Sequence, residues 1–192
     1  MDIGILQWMV EHRAAWLTAV FLVVTTAGNT VWMFVWASAG CAALLTSGRR
    51  ADAVLVAGSM LTGWGVMNAI KLIVGRERPP EPERLVDVAS HAFPSGHAMM
   101  SALLATLAIA VMLRSRTWWL HNFTLLAVPI AATLVIGLSR IYLGAHWTTD
   151  VLAGWILGAL WGLLWISVFS RFSVRNRFAG RSRAARRAST GC

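Results

Sequence analysis

The residues best suited to chemistry lie in Ser139-Arg140-Ile141-Tyr142-Leu143-Gly144-Ala145-His146-Trp147-Thr148-Thr149-Asp150, a polar stretch between two long apolar runs. Ionisable groups beside a bilayer are costly and mark function. Asp150 follows His146 by four residues, so one helical turn can bring its carboxylate to the imidazole. A carboxylate that accepts from one ring nitrogen fixes the tautomer and leaves the other nitrogen free to attack or to take a proton. Arg140 adds a planar, permanent cation that matches phosphate oxygens.

Two other stretches carry groups of the same kind. In Lys71-Leu72-Ile73-Val74-Gly75-Arg76-Glu77-Arg78-Pro79, Lys71 is the only lysine in a chain with 17 basic residues. Its ammonium is a point charge for one phosphate oxygen, and Arg78 can clamp two. Pro94-Ser95-Gly96-His97 opens an apolar run. A helix starting there presents free N–H groups and a positive dipole end, which favour phosphate. Gly96 permits close backbone approach, and Ser95 can cap or donate. Taken singly, each stretch has a plainer reading: a snorkelling lysine with a solvated arginine, an ordinary N-cap, a polar hairpin at the membrane surface. Three cations, two histidines and an aspartate on one face make that joint reading improbable.

In chain order, Lys-x6-Arg-Pro, Pro-Ser-Gly-His and Ser-Arg-x5-His-x3-Asp resemble the tripartite signature of the type-2 phosphatidic acid phosphatases, also called lipid phosphate phosphatases. Every signature position is filled, by Lys71, Arg78, Pro79, Pro94, Ser95, Gly96, His97, Ser139, Arg140, His146 and Asp150. Three spaced motifs in order are far more specific than one. The resemblance implies a metal-independent phosphatase without a cofactor, built in transmembrane helices. It implies that His146 is the nucleophile and forms a phosphohistidine, that Asp150 orients and polarises it, and that His97 protonates the leaving oxygen and then activates water. It further implies that Lys71, Arg78, Arg140, the Ser95 side chain and the Gly96 backbone N–H bind the phosphoryl oxygens.

The elements that must bring these stretches together are apolar. The chain of 192 residues is 57% hydrophobic and 13% charged, with 11 Trp and a mean hydropathy of +0.63. That is the composition of a polytopic membrane protein. The expected fold is all-α: a six-transmembrane-helix bundle in one domain, 1–170, followed by a basic tail, 171–192. Residues 2–12 place Ile3, Leu6 and Val10 at helical spacing, as in an interfacial helix. Runs 14–27 and 30–46 break at Gly28-Asn29-Thr30 and are expected to form a tight hairpin. Further runs cover 52–74, 97–113, 119–138 and 151–169, with Trp118 and Trp119 as interface anchors. Gly154, Gly158 and Gly162 recur at four-residue spacing, a face that another helix can approach closely. Tyr142 and Trp147 are expected to line the membrane interface.

Six spans would place both termini, Arg49, Arg50, Arg114, Arg116 and the tail on one face, the cytoplasmic one by the positive-inside rule. The loop 75–94 and the stretch 139–150 would share the opposite face. Arg76, Arg78 and Arg84 on that loop run against the rule, which suggests that they bind something. The tail arginines, Arg171 to Arg187, suit anionic lipid. No recognition module accompanies them, so nucleic acid is not an expected partner. Cys41 and Cys192 have no metal-ligand spacing and are not expected to pair. The start of the chain lacks a basic n-region, so no cleaved signal peptide is read. His12, His91 and His121 fall outside the motifs.

Three other functions compete with the one the resemblance implies. A metal-dependent hydrolase could use His97, His146 and Asp150 as a facial triad, but the surrounding cations would repel a dication. A non-catalytic lipid-binding or transport protein would not need both histidines. Vanadate-dependent haloperoxidases share the phosphate-site signature, yet those are large soluble enzymes. The expected substrate is a lipid phosphate, first a polyprenyl (undecaprenyl-type) diphosphate, then phosphatidylglycerol phosphate or phosphatidic acid. The site would face the non-cytoplasmic side of the plasma membrane.

Overall fold

The computed structural model describes residues 2–80, 83–115 and 122–189, with side chains to residue 171. The described residues form seven helices and no strand: α1 (Asp2–Glu11), α2 (Ala15–Ala27), α3 (Thr30–Thr46), α4 (Arg50–Val74), α5 (Gly96–Leu113), α6 (Phe123–Tyr142) and α7 (Thr148–Ser189). Helices are what the bilayer demands, because each satisfies its backbone hydrogen bonds internally.

The expected break after residue 27 is present. Gly28 ends α2, and a Cβ there would sit 2.6 Å from the Ile136 side chain of α6. Asn29 caps α3 by accepting from the Trp32 N–H at 3.0 Å. The break does not produce a hairpin. It bends the path by 55°, so α3 continues onward from α2. At 13 residues α2 is about 20 Å long, well short of a bilayer core of about 30 Å. The six separate spans expected from the sequence are not confirmed: among the described residues four helices, α4 to α7, are each long and apolar enough to cross, and the bent α2–α3 pair counts as one more if it is a single span.

Helix α5 is the central element. Met99, Met100, Leu103 and Leu107 are buried on it, within a core that α3, α4 and α6 complete with Met33, Leu55, Met60, Met67 and Ile136. The glycine face of α7 packs against α5 as its spacing predicts. A Cβ at Gly154 would meet the Ser95 carbonyl at 2.8 Å, one at Gly162 would meet Thr106 at 3.0 Å, and Gly158 lies against the Met99 backbone. This close approach fixes the start of α7 against the start of α5, where the Ser95 N–H donates to the Asp150 carbonyl at 3.0 Å.

The bundle has two distinct ends. One gathers the end of α4, the start of α5, the end of α6 and the start of α7. At the other, Arg49 pairs with Asp52 at 2.7 Å, Arg114 approaches Asp52 at 3.5 Å, and Arg49 donates to the Val111 carbonyl at 2.9 Å. Among the described residues, α1 and Arg171 lie at opposite ends of the bundle. Helix α1 docks at the first end, with Leu6 buried and Ile5 and Met9 against Ile141 and Val151. Arg171, 23 positions after Thr148 on α7, lies about 35 Å along that helix toward the other end. The bent α2–α3 pair counts as at most one candidate crossing, where a hairpin would make two.

Helix α7 runs through residue 170 without a break, so its backbone crosses the boundary expected between domain and tail. The side chains of Arg175 to Arg187, and residues Arg116, Trp118, Trp119, His121 and Cys192, lie outside the described residues, and so do the roles expected of them.

Candidate active site

The first end of the bundle brings the three polar stretches together. Lys71 sits in the last turn of α4, 6% exposed, and its Nζ donates to the His91 carbonyl at 2.6 Å. It is buried in the protein and does not snorkel outward. Gly75, with a positive φ of 60°, then ends α4, and the chain turns into an extended segment. Arg78 on that segment donates Nε to the Ser90 carbonyl at 2.7 Å and Nη2 to the Ser90 hydroxyl and the His91 carbonyl at 3.2 and 3.3 Å. Its Nη1 donates to the Ala145 carbonyl and reaches His146 Nε2 at 3.1 Å.

Arg140 comes from the last turn of α6, 3% exposed, and donates Nη1 to the Thr25 hydroxyl while its Nε has no partner. Gly96 opens α5, and a Cβ there would lie 3.0 Å from Met67 Sδ and 3.9 Å from Lys71 Cε, so the helix N-terminus stands close to the ammonium. A cavity of about 340 Å³ is lined by Lys71, Arg78, Gly96, His97, Arg140 and His146, and also by Asn29, Val31 and Trp64. Six of the eight residues expected in the site thus line one cavity. Ser95 and Asp150 stand behind its wall, both fully buried, and Ser95 Oγ has no partner.

The contact between Arg78 and His146 defines the state of the ring. A guanidinium can only donate, so Nε2 accepts and the proton of the neutral imidazole sits on Nδ1, the nitrogen facing Asp150. Burial first, then the charges of Arg78, Arg140 and Lys71, hold His146 well below the ordinary histidine range, so the ring is neutral at pH 7. Burial also lowers Arg78, to about 10, which leaves it cationic.

One expected contact is longer than anticipated. His146 Nδ1 lies 3.6 Å from Asp150 Oδ2, beyond hydrogen-bond range, and has no partner. The Asp150 carboxylate is held elsewhere. Oδ2 reaches back to the Trp147 N–H at 3.0 Å, as a third-position acid does at a helix start, and Oδ1 takes Arg76 Nη1 at 2.6 Å.

The sequence places Arg76 among loop cations expected to bind something, without naming a partner. In the structure it bridges Asp150 and Asp2, with Nη2 on Asp2 Oδ2 at 2.9 Å. Spacing gives no signal for this: Arg76 and Arg78 are two residues apart, yet Arg76 reaches Asp150 on α7 and Arg78 lines the cavity. Nothing in the sequence pointed to Asp2 or Thr25. Tyr142 is also corrected. It is buried, and its hydroxyl accepts from the Ala14 N–H at 2.9 Å, holding the start of α2, because α1 and α2 cover this end of α6. Trp147 donates Nε1 to the Glu77 carbonyl at 3.0 Å and lies 5.7 Å from the Arg76 guanidinium. His91 contributes its carbonyl, and its residue is exposed; His12 stacks on Trp8.

The first end of this helical bundle thus closes around a pocket lined by three cations and two histidines. The family model of the PAP2 superfamily matches residues 52–173, more than half of the chain, and the chain belongs to that superfamily. Among curated relatives, it is 36% identical over 81 residues to an undecaprenyl-diphosphatase of Sulfolobus acidocaldarius, covering 42% of this chain and 32% of the relative. It is 36% identical over 128 residues to a decaprenylphosphoryl-5-phosphoribose phosphatase of Mycolicibacterium smegmatis, covering 61% and 63%. The chain thus spans less than two thirds of each of these relatives. The crystal structure of a transmembrane PAP2 type phosphatidylglycerolphosphate phosphatase from Bacillus subtilis superposes with a TM-score of 0.78 at 27% identity, covering 88% of this chain and 85% of that one.

Proposed function

We propose that this protein is an integral-membrane lipid phosphatase that works through a phosphohistidine on His146. The observation that carries the reading is the Arg78–His146 contact inside a cavity lined by three cations. It leaves an in-plane lone pair on Nε2 directed toward the place where Lys71, Arg78, Arg140 and the α5 N-terminus would hold a phosphoryl group.

In the first step Nε2 attacks phosphorus, the P–N bond forms and the ester or anhydride P–O bond breaks. His97 gives its proton to the departing oxygen. In the second step His97 takes a proton from water, the water oxygen attacks phosphorus, and the P–N bond breaks to release inorganic phosphate. Dividing the hydrolysis in two places a good nucleophile in the first displacement. Phosphoryl transfer needs mainly positioning and charge stabilisation, and fixed cations in a buried site supply both.

The substrate we favour is a polyprenyl diphosphate of the undecaprenyl type. Two relatives named for polyprenyl phosphate substrates support it. Phosphatidylglycerol phosphate is the second reading, supported by the name of the Bacillus subtilis structure, and phosphatidic acid stands beside it. Asn29, Val31 and Trp64 also line the cavity, and Val31 and Trp64 are exposed, so the lipid tail would leave toward α3 and α4. Arg49, Arg50, Arg114 and Arg171 belong to the opposite end, which the positive-inside rule assigns to the cytoplasm. The site, with Asp2, would then face the non-cytoplasmic side of the plasma membrane, and the basic stretch after 170 would rest on anionic headgroups.

Phosphate release from a panel of these lipids by the purified protein tests the reading. His146→Ala should remove turnover by at least ~10³-fold while the protein remains folded. Full turnover by that variant would remove the nucleophile assignment.

A further inference from the structure

We propose that Asp2, at the start of α1, is a positioning residue for the nucleophile: it shares the charge of Arg76 with Asp150, so that the Asp150 carboxylate, 3.6 Å from His146 Nδ1, keeps its electrostatic pull on the proton there. The inference rests on His146 being the nucleophile. It adds a residue outside all three motifs and outside the segment 52–173 that matches the family.

The contacts are specific and reciprocal. One guanidinium stands between two carboxylates, with Arg76 Nη1 on Asp150 Oδ1 at 2.6 Å and Nη2 on Asp2 Oδ2 at 2.9 Å. Thr149, the residue before Asp150, closes the set. Its backbone N–H donates to Asp2 Oδ1 at 3.2 Å, its hydroxyl donates to Asp2 Oδ2 at 2.6 Å, and the same hydroxyl accepts from Arg76 Nη1 at 2.7 Å. Both Asp2 oxygens are therefore engaged with groups that adjoin Asp150. Burial works against ionisation of Asp2, but the hydrogen bonds from Thr149 and Arg76 outweigh it and hold the carboxyl below its ordinary value, so Asp2 is anionic at neutral pH.

The electrostatic consequence follows from counting charges around Asp150. On one side stand Arg76 and Asp2. On the other stands His146, with Lys71, Arg78 and Arg140 around it. If Asp2 were neutral, Arg76 would act on Asp150 alone. The pull of Asp150 on the Nδ1 proton would weaken, and so would its support for the positive charge that builds on the ring during attack. The ring would then be freer to carry its proton on Nε2, where it would face the donor Arg78 and present no lone pair to phosphorus. An aspartate-to-asparagine change beside a catalytic histidine acts through the tautomer in this manner. Helix α1 would in this way be part of the catalytic apparatus, although it contributes no atom to the cavity.

The experiment uses the full chain in detergent. Asp2→Asn, Asp2→Glu, Arg76→Gln and the Asp2→Asn/Arg76→Gln double variant are compared for kcat, KM and the pH–rate profile of lipid phosphate hydrolysis. In parallel, ¹⁵N-histidine NMR reads the tautomer of His146, with its signal assigned from His146→Ala. Asp2→Asn is expected to lower kcat about tenfold with KM within about twofold. Asp2→Glu should recover most of the loss, and the Nδ1–H signal should weaken in Asp2→Asn. Adding Asp2→Asn to Arg76→Gln should cost nothing more, because Asp2 acts through Arg76. Unchanged kcat and an unchanged tautomer in Asp2→Asn, with only a lower melting temperature, would make α1 a structural anchor and overturn the proposal. Multiplying losses in the double variant would overturn it as well. If Asp2→Asn does not accumulate folded, the comparison of the double variant with Arg76→Gln decides. If the wild type hydrolyses none of the lipids, the phosphatase reading fails, while the NMR arm still decides the coupling.

Discussion

Arg78 Nη1 lies 3.1 Å from His146 Nε2, a contact that requires a lone pair on that nitrogen of the ring. Because arginine cannot accept, the neutral imidazole must be protonated on the other side. The residue that would bind the phosphoryl oxygens is thus also the residue that would preset the proposed nucleophile. A substrate oxygen arriving in the cavity would take over the Arg78 donor and release Nε2 for attack.

Arg78→Lys should therefore lose more than a charge-conserving change suggests. A lysine keeps the positive charge but cannot reach Ser90, Ala145 and His146 at once. We expect kcat to fall by about 100-fold, with a smaller change in KM, in a phosphate-release assay. A lysine variant within threefold of wild type would show that the fork geometry is unimportant.

Stability should fall on the acid side because of His146. Its value in the folded protein is held well below 6.5. The unfolded chain therefore binds the proton first as pH drops, and stability present above 6.5 is lost progressively as pH falls from there toward the folded value. Each pH unit in that window costs up to about 1.4 kcal/mol for this group. The melting temperature between pH 8 and 5 should decline less steeply in His146→Gln than in the wild type.

The glycine face of α7 should be intolerant of a methyl group. At Gly154 a Cβ would press on the Ser95 carbonyl and Ala98, displacing the α5 N-terminus that carries Gly96 and His97. Gly154→Ala should cost ~1–3 kcal/mol and reduce turnover. Gly65→Ala, in α4 with nothing within 4 Å of the new atom, should be neutral or stabilise by about 0.5–1 kcal/mol. Thermal melts of the two variants side by side give the comparison, and equal melting temperatures would count against this packing.

Chelation should leave the rate unchanged. Lys71, Arg78 and Arg140 crowd the cavity with positive charge, and a dication there would meet three repulsions. Activity measured after EDTA treatment should match the untreated enzyme within error; a loss reversed by adding back a divalent ion would return the facial-triad reading to consideration.

Much of the site was legible because its residues are of costly types at fixed spacings. Lys71, Arg78, Gly96, His97, Arg140 and His146 stand in or beside apolar runs, where a charge or a helix break has few other uses, and all six line one cavity. The apolar runs likewise located α4, α5, α6 and α7, because length and hydropathy are local quantities. The N-terminal third was read less well. Gly28 and Asn29 mark a break equally in a hairpin and in a bend, and the 55° angle is set by how α2 lies against α6 at Ile136.

By itself the sequence determined the chemistry on offer: which groups are present, their order, and the apolar segments that must carry them. Only the tertiary structure decided who touches whom. Asp150 turned to Arg76 and the Trp147 N–H, at 3.6 Å from His146, and Asp2 came 147 residues along the chain to meet Thr149. Spacing constrains neighbours within a helical turn, whereas the partner of a buried charge is chosen by whichever opposite charge the packing of distant helices brings within reach.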